Sequence, residues 1–228
     1  GLIETTLSEE TVLDDFIREV KSDDVVYDLG SNLGVFASCV LPHLGPDGVV
    51  VAVEPVPTSC RRIRDHLRMN AGGGSSIVKE CAVSDTSGET SMAIRKSNWW
   101  WGNKSEAGTY GNIMESFSDG DGVVTLVPTT VIRGDQLIPE VGVPNVVKLD
   151  VDGTEVDALK GLENALSDAT CRIIYCEVHP EFLRDNNQTP EEAEELLRSY
   201  GFELERIDEH KVDDAELTTS TYTVKGVK

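Results

Sequence analysis

The chain has 228 residues, 39% of them hydrophobic, which suits one α/β domain with a sizeable core. Its 41 acidic residues against 20 basic ones leave a net charge of −21, spread along the whole chain. Such a surface repels phosphate backbones and anionic lipids, which argues against nucleic-acid binding and membrane insertion. No apolar run approaches the ~20 residues that cross a bilayer, and no signal segment opens the chain, so a cytoplasmic protein is expected. Acids crowd even expected helix faces such as PEEAEELLRSY, which reads as adaptation to high salt, where screening removes self-repulsion. The five cysteines form no C-x-x-C pair, and they read as reduced core thiols rather than a disulfide frame or zinc site.

In chain order, residues 7–20 (LSEETVLDDFIREV) are expected as a helix capped by Ser8, within a leading segment 1–21. VVYDLG (25–30) reads as a buried strand, and the helix after it is expected to end near Pro42. GVVVAVEP (48–55) is a second strand, TSCRRIRDHLRMN (58–70) a helix closed by AGGG, and SIVKECAV (76–83) a third strand. Residues 97–122 form a long stretch of low periodicity, a length that in a compact domain usually serves function. NVVKLDV (145–151) then reads as a strand, TEVDALKGLENAL as a helix with Thr154 at its N-cap, and CRIIYCEV (171–178) as a strand. An acidic helix over 190–200 and two late strands, FELERID and ELTTSTYTV, complete the chain. Valine-rich runs alternating with helices predict a mostly parallel sheet covered on both faces, with an antiparallel edge, in a single domain over 1–228.

The turn after the first strand carries the chemistry. Asp28 ends the strand, Gly30 and Gly34 line a tight turn, and a helix with free N–H groups begins at once. The G-x-x-x-G spacing, with Asn32 between the glycines, is not the dinucleotide fingerprint. Glu54, at the end of the second strand, follows Gly34 by 20 positions, where a carboxylate can accept from both hydroxyls of a ribose. A NAD-dependent oxidoreductase is disfavoured by the spacing and by the lack of a Tyr-x-x-x-Lys pair.

Asp28-x-Gly30-x-Asn32-x-Gly34, then VEPVP, CAVSD (81–85), VVKLDVDGTEVDALKG (146–161) and IIYCEVH (173–179) occur in this order over residues 25–180. The series resembles the FkbM family of S-adenosylmethionine-dependent methyltransferases. Two positions depart from the family pattern: Ser31 stands for a usual Ala, and Asp152 for a usual Glu. The resemblance implies a Rossmann-like class I methyltransferase fold, seven strands in the order 3-2-1-4-5-7-6. It also implies S-adenosylmethionine as cofactor, with Asp28 near the methionine amino group and Gly30, Asn32 and Gly34 lining the cofactor. Glu54 would then hold the ribose, and Cys81 and Ala82 would lie against the adenine. The activity implied is O-methylation of a hydroxyl on a sugar, glycan or secondary metabolite. A non-catalytic module that keeps the fold and binds the cofactor is the alternative.

In open α/β sheets reacting groups gather at the C-terminal strand ends. Asp150 ends the fourth main strand and Glu177 the fifth, with His179 two residues on. His179 is the expected base for a hydroxyl acceptor, positioned by Asp150 and Glu177. The same carboxylates could instead hold a divalent cation, but no metal is assigned. Lys148 is expected to point away from the site or to bridge acids, and Glu155 to stabilise a helix N-terminus.

All three tryptophans fall together in KSNWWWGNKS (96–105). A core plug, a homodimer contact and an acceptor wall are the competing readings. In an extended segment Trp99 and Trp101 share a face, and aromatic faces suit sugars while Asn103 could read hydroxyls. If the wall reading holds, replacing Trp99 and Trp101 by Ala impairs acceptor use. Cofactor affinity and the monomer–dimer balance should then stay unchanged in calorimetry and sedimentation.

Overall fold

The computed structural model describes residues 2–95, 111–113, 124–214 and 217–228. Helix α1 (Leu2–Glu19) leads into β1 (Val25–Leu29), α2 (Val35–Val40), β2 (Val49–Val53), α3 (Pro57–Met69) and β3 (Ser75–Lys79). The chain then makes β4 (Ala82–Ser84), β5 (Gly88–Arg95), β6 (Gly111–Ile113) and β7 (Val124–Arg133). It returns through α4 (Ile138–Val141) to β8 (Val146–Leu149), α5 (Glu155–Gly161), α6 (Glu163–Ser167) and β9 (Ile173–Val178). Helices α7 (Pro180–Asp185) and α8 (Pro190–Ser199) precede the pair β10 (Glu203–Asp214) and β11 (Leu217–Val227).

Among the described residues, seven strands form one sheet in the order β10-β11-β9-β8-β1-β2-β3. Its first five members by sequence are parallel, and β11 joins β9 antiparallel, so the expected order 3-2-1-4-5-7-6 is the order found. The central strands VVYDL and VVVAV are buried on both faces, which explains why they read as unbroken apolar runs. Val26, Val50, Val146 and Tyr175 pack against Phe16, Ala37 and Ile63 on one face. Tyr27, Val51, Val147 and Cys176 pack against Val156, Leu159 and Leu197 on the other. Among the described residues no helix is long and apolar enough to cross a membrane. All five cysteines are free thiols, four of them buried.

Several elements differ from the sequence reading. The third strand, expected over 76–83, divides into β3 and β4, which belong to different sheets. Pairing with β2 ends at Val53–Lys79, where Glu54 N donates to Lys79 O and Pro55 follows, so the chain past Lys79 has no ladder to continue. A second sheet, β4-β7-β5-β6, occupies the middle of the chain. Its strand β7 was hidden by Pro128, which is tolerated because β4 pairs only with residues 131–133 and leaves that stretch an edge. Of the long stretch 97–122, β6 is described; Trp99, Trp101 and Asn103 lie outside the described residues. Helix α1 begins before Ser8, which therefore lies within the helix and not at its cap. Thr154 makes no side-chain cap, its hydroxyl donating instead to Val151 O, and the helix expected over 154–166 is interrupted at Leu162.

Helix α5, which packs on the main sheet, ends against β4 of the second. A Cβ added at Gly161 would stand 1.9 Å from the Ser84 carbonyl oxygen, main chain that cannot step aside. Gly161→Ala is expected to lower unfolding free energy by about 1–3 kcal/mol in chemical denaturation. Gly88→Ala, where an added Cβ meets nothing within 4 Å, should stay within about 0.5 kcal/mol of wild type.

Candidate active site

The turn from β1 into α2 is built from left-handed residues: Gly30 (φ 79°), Asn32 (φ 49°) and Gly34 (φ 74°). Asn tolerates this region better than most side chains. Gly30 N and Ser31 N both donate to Val53 O, at 2.9 and 3.0 Å, laying the turn over the end of β2. A Cβ on Gly30 would come 1.7 Å from Asp150 O, and one on Gly34 would meet Ile63 at 3.0 Å. Gly30 thus brings bare main chain against the β8 end, whereas Gly34 lets α2 and α3 pack. Asp28 is buried; its Oδ2 accepts from Ala37 N at 3.1 Å and its Oδ1 has no hydrogen-bond partner. Burial pushes its carboxyl up, opposed by the Lys148 charge. Glu54 clamps the turn from the other side, accepting from Asn32 N and Val56 N at 2.9 Å each. Burial outweighs those two bonds and raises its pKa to about 7.

A cavity of about 300 Å³ opens above the strand ends. Val12 and Leu13 of α1 roof it, Gly30, Asn32 and Phe36 form one side, and Lys148, Asp150, Tyr175 and Glu177 form the floor. Helix α1 is held in place by Asp15, which accepts from the Tyr175 hydroxyl and from Lys225 Nζ, both at 2.7 Å. Lys148 bridges acids instead of pointing away: its Nζ lies 2.8 Å from Asp150 Oδ2 and 4.7 Å from the Phe36 ring centre. Burial opposes its charge, yet Asp150, Asp28 and Glu177 keep it protonated. Of the residues expected at the cofactor, Gly30 and Asn32 line this cavity, and Asp28, Gly34 and Glu54 stand behind the turn. Cys81 and Ala82 do not line it: Cys81 packs into the hydrophobic core, and Ala82 pairs with Val131 in the second sheet.

Beside the cavity floor the structure brings Asp150, Glu177 and His179 together, as expected, and adds two acids. Asp152 (φ 44°) and Gly153 (φ 91°) turn the chain after β8, and a Cβ on Gly153 would strike Phe182 at 2.4 Å. Phe182 also stacks on the His179 ring, with centres 5.8 Å apart. His179 Nδ1 lies 2.6 Å from Glu155 Oε1, which also accepts from Gly153 N at 3.0 Å. On the other edge of the ring, Nε2 faces Asp152 at 3.5 Å, Glu177 at 3.7 Å and Asp150 at 3.9 Å. Burial alone would lower the imidazole pKa, but the Glu155 hydrogen bond and the Glu155, Asp152 and Asp150 charges overcome it and raise it. An imidazolium has no lone pair to accept a proton, so with nothing else bound His179 is a positive charge rather than a ready base.

Glu155 is completely buried and sits on the apolar stripe Glu155, Ala158, Leu159 and Leu162, all 0% exposed. A carboxylate at core spacing on an otherwise apolar helix face is the sequence signal that marks it, and the helix-terminus reading missed it.

A family model described as the methyltransferase FkbM domain matches residues 28–204. The chain is 31% identical over 173 residues to hexuronic acid methyltransferase AglP of Haloferax volcanii, covering 75% of this chain and 62% of that protein. It is 29% identical over 203 residues to the 31-O-demethyl-FK506 methyltransferase FkbM of Streptomyces tacrolimicus, covering 81% and 74%. In three dimensions it resembles a precorrin-6y C5,15-methyltransferase from Geobacter metallireducens, with a TM-score of 0.53 at 14% identity over 96% of this chain and 88% of that one. That last likeness is one of fold.

Removing the Glu155 carboxylate strands the Gly153 N–H and the His179 ring N–H inside the protein. Glu155→Ala should therefore cost about 3–5 kcal/mol of stability in chemical denaturation, and Glu155→Gln less. Wild-type stability in Glu155→Ala would show that the buried pair is not formed.

Proposed function

The chain belongs to the FkbM methyltransferase family, and from that premise we propose that it transfers a methyl group from S-adenosylmethionine to an oxygen of a sugar, glycan or other small-molecule acceptor. The observation that carries this reading is the meeting of the bare Gly30–Asn32 turn with a cavity floored by Asp150 and Glu177. The residues fit the cofactor. Gly30 seats the turn hard against the Asp150 carbonyl and still lines the cavity, and Asp28 keeps an unpartnered Oδ1 behind the turn. Each Glu54 oxygen accepts one main-chain bond and retains a lone pair for a ribose hydroxyl.

S-adenosylmethionine supplies a methyl group made electrophilic by its sulfonium. The chain's own part is to align the acceptor oxygen for in-line attack and to take its proton. With the cofactor bound, Asp150 or Glu177 would accept the hydroxyl proton as the acceptor oxygen takes the methyl group. Asp150 and Glu177 line the cavity, and His179 stands behind them within 3.9 Å, supplying positive charge to both. His179 thus supports the two acids in this reading. A sugar-type acceptor is supported by the relative named for hexuronic acid, and an oxygen target by the relative named for 31-O-demethyl-FK506. The net charge of −21 and the Haloferax relative support salt adaptation.

In high salt, S-adenosylmethionine at 100 times its Kd should stabilise the fold by about 2.7 kcal/mol, and NAD should not. A methyl-transfer screen over hexuronic-acid glycans and lipid-linked sugars identifies the acceptor; cofactor binding without any turnover favours the non-catalytic module. Glu54→Ala should weaken cofactor binding by about 1–3 kcal/mol in calorimetry. Because ribose hydroxyls donate to the ionised carboxylate, wild-type affinity should fall as the pH drops through about 7, where Glu54 takes up a proton. Equal affinity at high and low pH, together with wild-type binding by Glu54→Ala, would leave Glu54 as a turn clamp alone.

A further inference from the structure

We propose that Asp150, Asp152 and His179 form a divalent-cation site in the wall of the acceptor cavity, with Glu177 beside it and Glu155 holding the imidazole in place. One donor atom from each of the three residues lies within 4.8 Å of the others. The mutual distances carry more than this proximity. His179 Nε2 stands 3.5 Å from Asp152 Oδ1, 3.7 Å from Glu177 Oε1 and 3.9 Å from Asp150 Oδ1. These separations are too long for good hydrogen bonds. They are close to the spacing of neighbouring ligands on one ion, roughly 3.0–3.5 Å when each bond is ~2.1 Å. Each carboxylate oxygen is thus within a few tenths of an ångström of ligand spacing from the imidazole nitrogen.

The orientation of the ring is a second and independent observation. His179 is 6% exposed, and its Nδ1 edge is taken by Glu155 at 2.6 Å. With Nδ1–H donated there, Nε2 is the ring atom left to exchange its proton for an ion, and it faces the carboxylates. A carboxylate holding the far nitrogen of an imidazole is the usual support for a metal-ligating histidine. Glu155 is anchored for this role by the Gly153 N–H and by complete burial. Asp150 divides its two oxygens, Oδ2 toward Lys148 and Oδ1 toward His179, so the ammonium and an ion need not compete for one atom. Four carboxylates surround one imidazole, and a dication balances them better than a proton does. The Asp150 and Asp152 side chains keep 27% and 28% of their exposure, which leaves a way in.

An imidazole with two or three carboxylates suits Mn²⁺ or Zn²⁺. Asp150 and Glu177 also line the cavity, so remaining coordination positions face the acceptor. There an ion lowers the pKa of a bound hydroxyl or neutralises an acidic sugar that the floor would otherwise repel. This use of the ion rests on the methyl-transfer reading above, whereas ion binding itself does not.

The test uses the full chain, without an affinity tag or cofactor, titrated with MnCl₂ and with ZnCl₂. Calorimetry and loss of the free Mn²⁺ paramagnetic resonance signal are expected to show one ion per chain. Asp152→Asn and His179→Ala should weaken Kd at least ~10-fold, and Glu155→Gln by ~10–100-fold, each in protein with a wild-type circular dichroism spectrum. No stoichiometric binding of either ion, or equal affinity in Asp152→Asn and wild type, overturns the site. S-adenosylmethionine affinity is measured separately on the same preparations. Ion binding without cofactor binding upholds the site and removes the methyl-transfer reading; cofactor binding without ion binding does the reverse.

Discussion

The β1–β8 seam governs everything around it. Asp150 N donates to Leu29 O at 3.0 Å, and the Asp150 carbonyl occupies space that any side chain at position 30 would need. Two strand ends can approach so closely only because Gly30 has no Cβ and adopts φ 79°. The strand order reverses at this seam, with β2 and β3 on one side and β8 and β9 on the other. The crevice that results is the cavity, and the turn, the floor acids and the histidine cluster are all placed relative to it.

Electrostatics follows from this geometry. Parallel strands that end together deliver their last side chains to one place, and here those are mostly acids: Asp28, Asp150 and Glu177. Lys148, the register partner of both Asp28 and Tyr175, is the compensating charge beneath the floor. The Lys148 ammonium and the His179 imidazole are both nearly enclosed, a costly burial supported by the carboxylates that surround them. Helix α1 closes the cavity from above, and its hold on the sheet is also ionic, through Asp15 and Glu19 to Lys225.

Much of this was legible in the residues. The glycine turn, Glu54 and the order of alternating strands and helices were visible because each is a local pattern: a backbone conformation, a strand end, a periodicity. Asp150, Glu177 and His179 were visible because they end neighbouring strands. The third strand was read through to residue 83, whereas β3 stops at Lys79 when its partner β2 runs out. Glu155 was read as stabilising a helix N-terminus, and its partner His179 is 24 positions away. The second sheet escaped notice because Pro128 breaks the look of a strand that pairs fully on only one side.

The sequence by itself determined the mostly parallel sheet and the family, whose resemblance implied the strand order, since strand identity, turn chemistry and motif spacing are written in short runs of neighbouring residues. Only the tertiary structure decided which carboxylates meet at His179, which way its ring faces, and which residues border the cavity. Those properties depend on distances between segments far apart in the chain. They are set by register, by a glycine-sized gap between two strands, and by the burial that makes each remaining charge find a partner.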